Sequence, residues 1–268
     1  MAAEAGHATL YHYEKFRAEW LTTTLRDRTI HCSDPANLND PWDCRPCFDD
    51  RSFETQKQID DFANYLHATT GQPIPDVQRS LFDAGIYRGP ADVRNILAGL
   101  SASNVAYISR LGVYCLTPDP LSVLMWSHYA ENHRGICLEF NVRNIAFMSA
   151  VEVIYRSEYP FWTPYSATIE NAVEMVLTKS ADWSYENEFR LFARPDVDDN
   201  HPLKLHGQCI RLPENALASV IVGCQGDYEA VSGIVSEHAP GLQVKRAMRT
   251  PNRYSLAIED VAVPASVR

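Results

Sequence analysis

One segment constrains the fold more than any other. Residues 135–140, with the sequence GICLEF, would be apolar on both faces of a strand. A strand with two apolar faces lies inside a sheet that is covered on both sides. We therefore place this segment at the centre of a layered fold. Alternation or short apolar runs predict further strands at 9–13, 29–32, 112–118, 150–155, 188–194, 207–212, 218–222, 242–248 and 254–260.

Helical periodicity occupies much of the remaining chain. It predicts helices at 14–28, 120–130, 166–180 and 227–238, and a long helical region at 54–110. Between them, residues 33–46 read SDPANLNDPWDCRP, and the three prolines predict a turn-rich loop. We predict an α+β fold with a mixed, strand-rich sheet, organised as a single domain over 1–268 with a helical insertion at about 54–110.

The amino-acid composition limits the classes of molecule that the protein is expected to bind. Of the 268 residues, 24 are Lys or Arg and 34 are Asp or Glu, which gives a net charge of −10. This charge opposes nucleic-acid binding over the whole surface, so such binding needs a local basic patch. Arg246, Arg249 and Arg253 are either such an edge or a solvated strand face. No apolar run approaches the roughly 18 residues of a membrane helix, and we expect a cytoplasmic protein without a membrane partner.

The cysteines give little sign of a redox or metal centre. Seven cysteines are an odd number scattered over a long chain, which favours reduced thiols. Cys44 and Cys47 have C-x-x-C spacing, but no second pair of metal ligands follows at finger distance. We leave open whether these two pair or bind a metal. Phosphate-binding glycine loops and the usual zinc-protease and serine-hydrolase motifs do not occur.

The segment 124–140, LMWSHYAENHRGICLEF, is the richest in reactive side chains. His128 and His133 are metal-ligand types, but a gap of five residues points them in different directions on a helix, so we expect no metal there. His128 follows the apolar stripe of the predicted helix and is therefore either a core residue or the edge of a pocket. Trp126 and Tyr129 are three residues apart and form either one wall of an aromatic cleft or packing contacts.

A second segment, 179–192, ends in the pattern Glu186-x-Glu188-x-Arg190. If a strand begins near Glu186, alternation brings both carboxylates and the guanidinium to one face. Repulsion between the carboxylates and attraction to Arg190 then separate the two pKa values, so that one group accepts protons and the other stabilises charge. A solvated face of charges at a sheet edge is the alternative.

Together these residues resemble a known bacterial family. The chain combines LYHY, the loop SDPANLNDPWD, GVYCLTPDP, LMWSHYAENHRGICLEF and K-x-x-x-W-x-Y-E-x-E-x-R. This combination, over about residues 10–225, resembles the domain-of-unknown-function 2971 family. The WSHYA-x-x-H-x-G-I-C-L-E-F block is its most specific part. Members of that family are largely uncharacterised, so this resemblance implies no particular chemistry.

A more distant resemblance is to the ADP-ribosyltransferase superfamily, in which His or Arg, then Ser or Tyr, and finally a catalytic Glu follow each other on successive strands. It implies an ADP-ribosyltransferase-like sheet and NAD as the substrate. It also implies, by position, a role for each candidate residue. The sequence departs from the superfamily in having no Ser-Thr-Ser strand and in its long helical insertion.

By position, the resemblance makes Glu188 the catalytic carboxylate and Glu186 the group that orients the acceptor. The catalytic set, which includes two residues of the 124–140 segment, is Glu188, Glu186, His128 and Tyr129. In the cofactor-binding set His12 holds the adenosine-side ribose, aromatic residues form a wall and arginines bind the phosphates. The cofactor-binding residues are His12, Tyr13, Trp126, Arg134 and Arg190. Tyr114 is an alternative to Tyr129 as the stacking aromatic, and Arg17 an alternative phosphate ligand.

The function implied is an NAD-consuming transferase or glycohydrolase, with toxin or phage-defence roles of the kind common among such enzymes. Its acceptor would be a protein or a nucleic acid. Two other functions stay open: a metal-dependent nucleotide or nucleic-acid hydrolase, and a non-enzymatic interaction domain. The sequence leaves the acceptor and the oligomeric state undetermined.

Overall fold

The computed structural model describes residues 1–45, 47–48, 53–83, 108–162 and 169–260. The helices in these ranges are α1 (Ala18–Arg26), α2 (Gln56–Thr70), α3 (Ile74–Asp83), α4 (Val123–His128), α5 (Ile169–Leu177) and α6 (Tyr228–His238). The strands are β1 (Thr9–Glu14), β2 (Thr29–His31), β3 (Cys47–Phe48), β4 (Gly112–Leu116), β5 (Ile136–Asn141), β6 (Val151–Glu152), β7 (Ile154–Arg156), β8 (Phe161–Trp162), β9 (Thr178–Ser180), β10 (Phe189–Ala193), β11 (Cys209–Arg211), β12 (Leu217–Val222), β13 (Gln243–Arg249) and β14 (Leu256–Asp260).

These elements form two compact units. The first comprises Met1–Asp34, Leu111–Val153 and Asp182–Arg268, and the second comprises Pro35–Arg110 and Ile154–Ala181. The first unit contains a five-stranded sheet in the order β1-β5-β12-β13-β14, a three-stranded sheet β4-β10-β6, and the pair β11-β2. β12 and β13 run parallel and the other neighbours in the large sheet run antiparallel. The predicted α+β class with a mixed sheet is therefore confirmed.

Strand β5 lies inside the large sheet, as its two apolar faces predict. It pairs with β1 on one side and with β12 on the other. Ile136, Leu138 and Phe140 enter the main hydrophobic core, whereas Cys137 enters a smaller cluster on the opposite face. One strand therefore supplies side chains to both of these clusters.

A parallel crossover closes the other half of the large sheet. The chain leaves β12, forms α6 and returns as β13, which is the usual way to join parallel neighbours. The side chain of Asp227 accepts a hydrogen bond from the Ala230 N–H and so caps the start of α6. Val231 and Val235 then bury the inner face of this helix in the main core.

The second unit contains much of the predicted helical region. A capping box between Thr55 and Gln58 starts α2, and Gly71 ends it with a left-handed φ of 72°. Phe62 of α2 and Leu81 of α3 belong to one buried cluster. The predicted helix after residue 83 lies outside the described residues until 108.

Several boundaries differ from the sequence-based predictions. The helix predicted at 166–180 ends at Leu177, and Thr178–Ser180 is strand β9. The first helix begins at Ala18 and not at residue 14, because Glu14 still pairs with Ile136 as the last residue of β1. The predicted strand 150–155 is two short strands with different partners: β6 pairs with β10 and β7 with β9. The predicted strand 188–194 begins at Phe189. No helix in the described ranges is long and apolar enough to cross a membrane.

A substitution at Gly135 tests how closely the chain at this position approaches the end of β1. A Cβ at this position would lie 2.2 Å from the carbonyl oxygen of Glu14, a backbone atom that cannot move alone. We expect Gly135→Ala to lower the free energy of unfolding by about 3 kcal/mol or more, as overpacked cores do. In Gly233→Ala, within α6, a Cβ meets nothing within 4 Å, so this control should gain about 1 kcal/mol. Urea unfolding measures both, and equal stabilities would contradict the close approach.

Candidate functional site

Strand β1 separates the predicted ligand-binding residues onto two faces. Successive side chains of a strand point in opposite directions. Accordingly, His12 stacks on Tyr114 of the main core, whereas Tyr13 packs in the smaller cluster on the other face. His12 and Tyr13 therefore do not face one common ligand, although the sequence-based assignment used both.

His12 is held tightly on its side of the sheet. Its Nδ1 lies 2.7 Å from the carbonyl oxygen of Cys115, and its ring centroid lies 4.2 Å from that of Tyr114. Because a carbonyl only accepts hydrogen bonds, Nδ1 carries the proton. Burial lowers the pKa of His12 to about 4, so the imidazole is neutral near pH 7. These contacts are those of a packed core histidine.

Two groups beside His12 are also perturbed by burial. The Tyr114 hydroxyl is buried and has no hydrogen-bond partner among the described residues. Burial and the nearby Glu14 carboxylate raise the pKa of Tyr114 well above its usual value. Burial likewise raises the pKa of Glu14 to about 7. Glu14 therefore titrates near physiological pH, a property that its sequence position did not predict.

On the opposite face, Trp126 is a core residue. It is 0% exposed, its ring meets Tyr13 edge to face at 5.0 Å, and its Nε1–H donates to the carbonyl of Pro120 at 2.9 Å. The Tyr13 hydroxyl similarly donates to the carbonyl of Asp119 at 2.7 Å. Neither ring has a free face for a ligand, so Trp126 is a packing residue and not the wall of an aromatic cleft.

An aromatic cluster lies at the surface of the first unit and is made of His128, Tyr129, Trp183 and Tyr185. His128 Nδ1 is hydrogen-bonded to the Tyr185 hydroxyl at 2.9 Å, and the ring centroids of His128 and Tyr129 are 6.3 Å apart. Trp183 and Tyr185 lie 6.2 Å apart. His128 is exposed and the other three are partly exposed. Of the two alternatives for His128, the core position is wrong, because His128 is exposed and so are Leu121 and Leu124 of the predicted stripe.

A carboxylate lies directly against this cluster. The Tyr129 hydroxyl donates a short hydrogen bond to Oε1 of Glu186, which is only 3% exposed. Glu186 ends a 3-10 helix at Ala181–Glu186, before β10 begins at Phe189. The prediction that strand alternation aligns Glu186 with Glu188 is therefore wrong, since Glu186 is not part of a strand.

Glu188 and Arg190 are bound to each other. The Arg190 guanidinium donates from Nε at 2.7 Å and from the second amino group at 3.0 Å to the two oxygens of Glu188. Both side chains are buried, at 3% and 0% exposed. This bidentate pair satisfies each charge where water is absent. A phosphate at Arg190, or a sugar at Glu188, would have to break the pair.

The turn that follows α4 has an unusual backbone. Glu131, Asn132 and His133 all have left-handed φ values, of 49°, 55° and 66°. Each costs about 1–2 kcal/mol in a residue other than glycine. The turn brings His133 Nε2 to 3.1 Å from the Ser127 hydroxyl, which also lies 2.8 Å from the carbonyl of Val123.

The remaining charged candidates differ in whether they form an ion pair. Arg17 forms a bidentate pair with Glu131 at 2.9 and 3.1 Å, and both side chains are exposed. Arg134 is exposed. Within the described ranges no three His, Cys, Asp or Glu side chains lie close enough together to hold a metal ion. None of the seven cysteines is in a disulfide.

A further buried carboxylate, Glu139, is surrounded by hydrogen-bond donors. It accepts hydrogen bonds from Tyr11 at 3.1 Å and from Lys245 at 2.7 Å, and a short one from Ser219. Burial alone would raise the pKa of Glu139, but these donors hold it below its usual value. Its three partners lie on β1, β12 and β13, so the pairing of the strands brings them together.

The raised pKa of Glu14 predicts the direction in which the stability of the fold changes with pH. In the fold this carboxyl keeps its proton up to about pH 7, whereas in the unfolded chain it loses it near 4.5. Stability from Glu14 is therefore full below pH 4.5 and lost as the pH rises to 7. Glu14→Gln, which mimics the protonated form, should match wild type near pH 4.5 and exceed it at pH 8 by on the order of 3 kcal/mol. Denaturant unfolding across this range measures the difference, and a pH-independent gap would contradict the assignment.

The buried Glu188–Arg190 pair makes a second prediction. Glu188→Gln leaves the Arg190 charge buried and should lower the free energy of unfolding by about 3–5 kcal/mol. Replacing both, in Glu188→Leu with Arg190→Met, also removes the buried guanidinium charge and should recover much of that loss. Thermal and urea unfolding compare the three proteins. A single variant as stable as wild type would show that the pair is not structural.

The comparisons with known proteins agree with the sequence resemblance in one segment. The family model described as "Protein of unknown function (DUF2971)" matches residues 125–191. No curated protein and no solved structure matches the chain. The matched segment runs from the middle of α4 into β10 and contains the aromatic cluster, Glu186 and the Glu188–Arg190 pair. Over this segment the chain is similar to DUF2971.

Proposed function

We propose that the first unit is an NAD-consuming enzyme, a transferase or glycohydrolase, whose reactive carboxylate is Glu186. The observation that carries this proposal is the buried Glu186 carboxylate held by the Tyr129 hydroxyl against a partly exposed aromatic cluster. An ADP-ribosyltransferase-like arrangement of the sheets is part of the proposal. No curated relative bears on it.

The chemistry of NAD suits such a surface. The nicotinamide ring is flat and carries a positive charge, and aromatic faces attract cations. When the bond from nicotinamide to the ribose breaks, the electron pair leaves with nicotinamide and the sugar becomes an oxocarbenium-like cation. A fixed negative charge beside that sugar lowers the barrier, because it is already oriented when the positive charge develops. Water or an acceptor then bonds to the ribose carbon and loses a proton.

Each residue of the site has a distinct role in this proposal. Glu186 stabilises the sugar cation, and Tyr129 orients its carboxylate through the short hydrogen bond. His128 and Tyr185, joined at 2.9 Å, form the wall that shields the nicotinamide end from water. The exposed Arg134 is the candidate for the diphosphate. Glu188 and Arg190 act as positioning residues that fix the start of β10.

These residue roles differ from those implied by the resemblance to the ADP-ribosyltransferase superfamily. There, Glu188 was the catalytic carboxylate and Glu186 its helper. In the structure Glu188 is neutralised by Arg190, whereas Glu186 contacts the aromatic cluster. His12 lies on the other face of β1 with its Nδ1–H committed to Cys115. We therefore propose that His12 supports the sheet and does not contact NAD.

The proposal is tested by NAD binding and by nicotinamide release. We expect wild type to bind NAD in calorimetry and to release nicotinamide, measured by chromatography. Glu186→Gln should still bind NAD but release nicotinamide about 100 to 1,000 times more slowly, as when a preorganised electrostatic group is removed. Tyr129→Phe should slow release about tenfold, because the carboxylate stays but is less well oriented.

Glu152→Gln is the matched control, because Glu152 is an exposed glutamate on β6 of the same unit. It should leave both binding and release unchanged. Circular dichroism and thermal unfolding confirm that each variant is folded. Absence of NAD binding in wild type, or full activity in a folded Glu186→Gln protein, would refute the proposal.

A further inference from the structure

The turn between β13 and β14 forms a basic tip on the first unit. This hairpin tip comprises residues 249–254, with the sequence Arg-Thr-Pro-Asn-Arg-Tyr. Its six residues line an open depression on the surface. Asn252 adopts a left-handed φ of 60°, and the Thr250 N–H donates to the Ser255 carbonyl at 2.9 Å. The hydrogen bond closes the turn, so the side chains of the tip project from a defined backbone.

The charge of the tip opposes that of the whole chain. Residues 247–258 contain two arginines and no acidic residue, in a chain with a net charge of −10. At the base of the hairpin the charges lie opposite each other, with Lys245 beside Asp260 and Arg246 beside Glu259. Arg249 and Arg253 lie beyond these pairs and are exposed. In the part of the chain that the structure describes, neither of them forms an ion pair.

An aromatic residue, Tyr254, follows Arg253 in the tip. Tyr254 is fully exposed, with a relative accessibility of 107%. Both faces of its ring are therefore in water, where an aromatic ring gains nothing from packing. The other large aromatic side chains that are exposed on the first unit retain some cover, as Trp20 does at 55%. A ring presented in this way offers a stacking surface.

We propose that the hairpin tip binds single-stranded nucleic acid. Arg249 and Arg253 contact backbone phosphates, and Tyr254 stacks on a base. Proteins that bind single strands combine these two features, cations for the phosphates and aromatic side chains for the bases. The proposal does not depend on the NAD-consuming activity, since no residue of the aromatic cluster takes part.

The charge distribution favours a single strand over other anionic partners. A duplex or a membrane is stiff and extended, so it would bring many negative charges close to the acidic remainder of the surface. A flexible strand can contact the tip alone. An acidic peptide would use the arginines but has no base for the Tyr254 ring.

Fluorescence anisotropy of a labelled oligouridylate, measured at increasing salt, tests the proposal. Wild type should bind at low salt, and Tyr254→Ala should bind about tenfold more weakly. The double variant Arg249→Gln with Arg253→Gln should weaken binding and reduce the slope of log affinity against log salt by about 1.4, since two phosphate contacts are lost. Arg143→Gln removes an exposed arginine elsewhere on this unit and should change nothing. All four positions are exposed, so the variants should stay folded.

Three results would overturn the proposal: no binding by wild type at low salt, equal weakening by Arg143→Gln, or unchanged binding by Tyr254→Ala. The third result, with heparin competing as well as the oligonucleotide, would identify a general anion patch. Nicotinamide release is measured on the same proteins. The hairpin variants should keep the activity of wild type, so failure of one proposal is distinguishable from failure of the other.

Discussion

Strand β5 organises the first unit because its alternating side chains belong to two hydrophobic clusters at once. Ile136, Leu138 and Phe140 build the main core, and Cys137 builds the smaller cluster that supports α4. Each face needs its own cover, so the chain must place elements on both sides of the sheet. The aromatic cluster packs on the second of these faces, and its position therefore follows from the burial of β5.

Buried charge is the second physical constraint on this unit. Glu188 and Arg190 are both removed from water, and a bidentate geometry is what makes that burial tolerable. The buried carboxylate of Glu139 is stabilised in a similar way, because it accepts hydrogen bonds from three side chains. Glu14 instead keeps its proton, since burial raises its pKa to about 7. These three carboxyls are thus paired with a cation, surrounded by donors and protonated, respectively.

The fold class could be predicted because it depends on local periodicity. The apolar pattern of 135–140 identified the inner strand, and the helical period identified α2 and α3. Boundaries were less predictable, because strand pairing moved the end of β1 to Glu14. For the site, the sequence could predict only which residues take part and not how they are arranged. Glu186, Tyr129 and His128 were singled out as residue types, but the alternation used to align Glu186 with Glu188 assumed a strand that begins three residues too early.

The sequence by itself determined the α+β class, the inner position of β5, the excess of negative charge and the segment similar to DUF2971. These follow from the order of side chains along the chain. Tertiary structure decided that His12 and Tyr13 face opposite ways, that Trp126 is core, and that Arg190 neutralises Glu188. The physical reason is that burial and partner choice depend on residues far apart in sequence, such as Tyr129 and Glu186, which meet only when the strands pair.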